Sequence, residues 1–169
     1  IDQLIVETKM AIADQQDLEA YQDAAKATLA DYAGENPSNK VQGILDEAYL
    51  EIEDAESEAK IDQLVLDTKA EIDDQQVLEA YQDTAIATLA DYAGENPSNN
   101  VQGILDDDYL DIENAENETE IDQLITDAKT EIADQQALEA YQDTAKTTLA
   151  DYAGANPSNE VQGILDTAY

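Results

Sequence analysis

The side chains in this chain that could do chemistry are carboxylates, and the densest group of them is Asp106-Asp107-Asp108 with Asp111. Clustered carboxylates are hard oxygen ligands suited to Ca²⁺, but a calcium loop needs alternating acidic positions, a turn glycine and a glutamate at the twelfth position. No segment has that pattern, so the cluster reads as a solvated acidic helix face with weak, non-specific cation binding at most. Paired carboxylates can also serve glycoside hydrolysis, which needs a concave site lined by substrate-binding aromatics; three tyrosines in a helical repeat do not supply one. Lys9, Lys69 and Lys129 recur at one position and predict an ion pair with a carboxylate on an adjacent helix. Tyr21, Tyr32 and Tyr49 predict core residues with their hydroxyls at the rim. Asn117-Glu118-Thr119 is a glycosylation sequon that occurs once, in a helical context, and reads as chance. Ile86 stands where the other copies have Lys26 and Lys146, marking a small apolar patch. No residue is assigned as catalytic, cofactor-binding or metal-binding, ligand-binding residues are left unknown, and no enzyme activity or cofactor is expected.

Composition narrows the rest. The 169 residues carry 7 basic and 41 acidic side chains, a formal charge of −34, and contain no His, Cys, Trp or Phe. Nucleic acid and anionic membrane surfaces need positive charge that this chain lacks, so neither is an expected partner. Imidazole, thiol, zinc and disulfide chemistry have no residues to work with. No apolar run of about 18 residues is present to span a bilayer and no signal-like segment opens the chain. The missing initiator Met predicts a segment of something longer.

These residues sit in a 60-residue repeat. Ile1-Asp2-Gln3-Leu4 returns as Ile61-Asp62-Gln63-Leu64 and as Ile121-Asp122-Gln123-Leu124, with about 70% identity between the first two copies. The copies are 1–60, 61–120 and a shorter third at 121–169, expected to be the least stable. A period of 60 exceeds the roughly 20 to 50 residues of solenoid units, which predicts separate small domains in series.

Gly and Pro occur only at Gly34, Pro37, Gly43 and their counterparts, amid Ala, Leu, Glu, Gln and Lys, so the chain should be almost wholly α-helical. Gly34 predicts a left-handed helix end, and Asn36-Pro37 predicts an N-cap followed by the first helical position. The stripes Ile1, Leu4, Ile5, Thr8, Ile12 and Leu18, Tyr21, Ala25, Leu29, Tyr32 are out of phase by about 240°. A turn at Asp14-Gln15-Gln16, with Asp14, Asp74 and Asp134 as caps, is preferred over a kinked helix from Ile1 to Ala33. In the third segment Tyr49 is expected in the core rather than Ala48, because the counterpart Asp108 would be costly to bury. Gly43 inside this helix predicts close approach by another helix, with sequence drift as the alternative. Glu56-Ser57-Glu58-Ala59-Lys60 has no breaker, which predicts a helix running unbroken into the next copy, against a short frayed linker. The fold class is therefore all-α: an elongated tandem array of three small three-helix-bundle modules, with salt and divalent cations relieving self-repulsion.

Leu4-Ile5 in a first helix, Leu18 to Tyr32 in a second and Val41 to Ile52 after a turn resemble the three-helix FIVAR-type modules found in tandem on Gram-positive bacterial surface proteins. The layout is also similar to that of albumin-binding GA modules. The Tyr-Thr…Ser-Trp signature of FIVAR modules is missing, Tyr21 being an approximate counterpart, so no ligand contact carries over. The resemblance implies a cell-wall-anchored stalk or adhesin, extracellular on the bacterial surface and joined to neighbouring domains, with a host protein or glycan as a partner. Two functions follow as expectations: a structural stalk or spacer projecting a distal domain, or a multivalent binding array that gains avidity from repetition. A third reading, an acid-rich protein of a high-salt habitat, is compatible with either and predicts unfolding at low salt.

Overall fold

The computed structural model describes residues 1–168; Tyr169, the counterpart of Tyr49, lies outside them. The described residues form six helices and no strand: α1 Asp2–Ala33, α2 Asn39–Glu53, α3 Glu58–Ala93, α4 Asn99–Asn114, α5 Glu118–Ala153 and α6 Asn159–Ala168. The chain divides into two compact units, Ile1–Ala80 and Tyr81–Tyr169, and the division falls inside α3. The all-α expectation is met.

In the first unit, one buried cluster gathers Ala25, Leu29 and Ala33 of α1, Val41, Leu45, Ala48 and Ile52 of α2, Ala55 after it, and Ile61, Leu64 and Ile72 of α3. Leu29, Ile52, Ile61 and Ile72 are fully buried, each contributing about 1.5 to 3 kcal/mol of apolar transfer. The core therefore draws on two consecutive sequence copies and is offset from the 60-residue frame. The second unit buries the counterparts Leu89, Val101, Leu105, Ile112, Ile121 and Ile132.

That offset explains the phase break in the long helices. No turn forms at Asp14-Gln15-Gln16; α1 is continuous there, as are α3 and α5 at Asp74 and Asp134. These aspartates cap nothing, because no helix begins beside them. The side-chain amides of Gln15, Gln75 and Gln135 donate to Glu19, Glu79 and Glu139 one turn on, an i,i+4 pairing that supports an uninterrupted helix. The two apolar stripes differ in direction because the two halves of one helix serve different cores. In α3, Ile61, Leu64 and Ile72 belong to the first unit, and Ala85 and Leu89 are buried in the second.

The breaks come where the sequence looked uninterrupted. The unbroken helix expected from the third segment into the next copy does not form: α2 stops at Glu53 and α3 starts at Glu58. Ser57 Oγ accepts from Lys60 N–H at 3.4 Å, and in the next copy Asn117 Oδ1 accepts from Glu120 N–H at 3.0 Å. Polar caps do here what Gly and Pro do elsewhere.

The firm turn does lie at Gly34. Its φ of 90° and ψ of 175° place it at positive φ, though outside the left-handed helical well that was expected; a side chain would be strained there. Helix α2 begins two residues later than Asn36-Pro37 suggested. Ser38 is its N-cap, its Oγ accepting from Val41 N–H at 3.1 Å, and Ser98 repeats this ahead of α4.

Two packing expectations are corrected. Ala48 is buried and Tyr49 only half-buried against the core, so the position occupied by Asp108 in the second copy does face inward. Gly43 and Gly103 have nothing within 4 Å of a built Cβ, so no helix approaches closely. Gly103→Ala should therefore raise stability by about 0.5 to 1 kcal/mol, read as a higher midpoint in thermal unfolding.

Candidate functional site

The recurring lysines meet aromatic rings. Lys69 Nζ lies 4.9 Å from the centroid of Tyr32, and Lys129 Nζ lies 5.6 Å from that of Tyr92, which is cation–π geometry. The ion pair expected at this position is found instead at Lys26, whose Nζ is 2.7 Å from Glu53 Oε1. Ile86, in the place of Lys26 one copy on, is half-buried rather than part of an open apolar patch.

The tyrosines sit at the rim rather than in the core expected of them: Tyr21 and Tyr49 are half-buried and Tyr32 is exposed. Tyr21 Oη donates to Asp62 Oδ1 and Tyr81 Oη to Asp122 Oδ1, both at 2.7 Å; Tyr32 Oη donates to Asp73 Oδ1. These hydrogen bonds to carboxylates raise the pKa of all three phenols. Glu139 is shifted the other way: hydrogen bonds from Ser98 and Gln135 hold its carboxyl below the usual range.

The acidic cluster divides. Asp106, Asp107 and Asp111 are exposed, and Asp106 accepts from Gln102. Asp108 turns toward α5, half-buried, with Oδ2 shielded from solvent and without a hydrogen-bond partner. Burial, followed by the nearby carboxylates Glu131, Asp111, Asp107 and Asp127, pushes its pKa up to about 6. Among the described residues, no three carboxylates converge to hold a metal ion. The corresponding surface of the first unit is a groove of about 280 Å³ between α2 and α3, where Lys60 lies among Glu47, Glu51, Asp67 and Glu71. The carboxylates there surround the lysine ammonium of Lys60. Asn117 of the sequon uses its Oδ1 to cap α5.

Sequence reasoning missed the buried amides. Gln22 Nε2 donates to the carbonyls of Glu53 and Ala55, both at 3.1 Å, and Gln82 repeats the pattern on Glu113 and Ala115. Each glutamine thereby satisfies carbonyls left open at the end of a short helix. Their recurrence within Leu-Glu-Ala-Tyr-Gln-Asp was the available signal, but it reads as an exposed polar position until the tertiary partner is known.

No family model matches the chain, and no curated protein and no solved structure matches it significantly. No helix among the described residues is long and apolar enough to cross a membrane.

Proposed function

We propose that this chain is a stalk or spacer made of tandem three-helix-bundle modules in an extracellular bacterial surface protein, projecting a distal functional domain and doing no enzymatic chemistry. The observation that supports this reading is the repeated construction itself. The same core positions, rim hydrogen bonds and glutamine clamps occur twice at a spacing of 60 residues. The absence of cysteine is compatible with an extracellular setting, and the high negative charge keeps such an array soluble and self-repelling.

Small-angle scattering on arrays of one, two and three copies tests it. A constant increment in maximum dimension per copy, insensitive to salt and calcium, is expected; a dimension that stays constant or collapses with added copies overturns the spacer reading. A second reading, multivalent binding to a host protein or glycan through a repeated helix face, is favoured by Leu50 and Leu110. These leucines are 60 residues apart and 65% and 58% exposed. Such binding would weaken steeply when the array is cut to one copy, through loss of effective concentration.

A further inference from the structure

Helix α3 serves both units, and its two sets of contacts nearly touch along the chain. In the first unit it buries Ile61, Leu64, Thr68 and Ile72. Further along, Glu79 accepts from Ser38 Oγ, the N-cap residue of α2, at 2.5 Å. Tyr81, two residues on, already belongs to the second unit, where its Oη donates to Asp122 Oδ1 at 2.7 Å. Gln82 clamps the carbonyls of Glu113 and Ala115, and Ala85, Leu89 and Ala93 are then buried in the second core.

The stretch between the two sets has little to start a helix. Gln75-Gln76-Val77-Leu78-Glu79-Ala80 follows Asp74, with no Ser, Thr, Asn or Asp among the six to cap open N–H groups. None of the six is fully buried, so packing alone does not hold them in helix.

We propose that α3 is a coupling element: the folded first unit holds residues 75–80 in helix, and the second unit is more stable because it receives α3 already formed. With the first unit folded, the N–H groups of Tyr81 and the residues after it find their carbonyls one turn back. With the first unit unfolded, the second unit has two alternatives. A helix begun at Asp74 must order six residues that the second core does not bury. A helix begun beside Tyr81 leaves its first four N–H groups open where Tyr81 and Gln82 have to be aimed. Either alternative weakens the folding equilibrium of the second unit by about tenfold.

The coupling is conditional, which separates it from ordinary destabilisation. A first unit that is less stable but still folded transmits nothing, because the second unit then opens beside an intact neighbour. Only loss of the first unit removes the support, as a nearest-neighbour interaction in a repeat array requires.

Hydrogen exchange of the full chain tests the proposal, read at the amides of Val101, Leu105 and Ile112 in α4. Leu29→Asp with Ile52→Asp puts two carboxylates at fully buried positions of the first core and unfolds that unit. Protection in α4 should fall about tenfold, although neither substitution lies in the second unit. Ala80→Pro, which interrupts α3 and leaves both cores their side chains, should produce a similar fall by itself. The three substitutions together should add nothing to the fall seen with Ala80→Pro, because a coupling already cut cannot be cut again. Unchanged protection with the Leu29 and Ile52 pair overturns the proposal, as does a further fall when that pair is added to Ala80→Pro. If the pair unfolds the second unit outright, Ala80→Pro decides: weakened α4 protection supports the coupling, and full protection overturns it. Failure here leaves the spacer reading untouched, because that reading concerns dimension per copy and not the stability of one unit given its neighbour.

Discussion

Ile72→Ala should destabilise the first unit by about 3 kcal/mol, whereas Ile12→Ala, the same substitution at the same repeat position, should change stability by no more than about 0.5 kcal/mol. Ile72 is fully buried in the cluster shared by α1, α2 and α3; Ile12 is more than half exposed in α1. Removing Ile72 deletes apolar contacts and leaves a cavity that close-packed neighbours fill only in part. Removing Ile12 deletes little contact in the isolated chain, and alanine's better helix propensity offsets part of that. Urea unfolding followed by circular dichroism measures both. Hydrogen exchange then assigns the loss to residues 18–79. Equal effects at the two positions would show that the copies, rather than the offset groupings, are the folding units.

The all-α class was legible because Gly and Pro are confined to three sites per copy, and the turn at Gly34 because glycine at that position leaves few alternatives. At Asp14 the apolar stripe changes direction while the backbone does not; in a helix that serves two cores the first occurs without the second, and the sequence pattern does not separate them. The reverse holds at residues 54–57. A serine or asparagine cap stops and restarts a helix without any glycine or proline, and the sequence shows only a polar stretch. The lysine–tyrosine contacts were hidden for another reason: Lys69 and Tyr32 are far apart in sequence and belong to different copies. A pattern read within one copy cannot pair them.

Asp108 shows what a single departure from the repeat costs. The cost of burying an unpaired carboxylate favours Tyr49 and its counterpart Tyr109 for the core; the structure instead places Asp108 inward and leaves Oδ2 without a partner. Its folded-state pKa of about 6 against an ordinary 3.8 fixes the sign of the consequence. The folded state holds the proton more tightly than the unfolded state. The associated stability is fully present below about pH 3.8 and is lost as pH rises through about 6. At neutral pH the second unit therefore carries an ionised carboxylate facing Glu131 and Asp127 on α5.

Asp108→Ala restores the residue that Ala48 provides in the first copy. The full shift corresponds to about 3 kcal/mol, and partial solvation of the side chain reduces this to about 1 to 2 kcal/mol of expected stabilisation at pH 7. Near pH 4 the gain should shrink to the pH-independent part, the roughly 0.6 kcal/mol by which alanine exceeds aspartate in helix propensity. Self-repulsion among the other carboxylates also eases on acidification, but it does so in both proteins and cancels in their difference. Thermal unfolding of the two chains across pH 4 to 7.5 measures that difference directly. A gain that grows with pH between about 4 and 7 fits an uncompensated buried charge; a constant gain would mean that Asp108 keeps its ordinary pKa and that only helix propensity separates the variants.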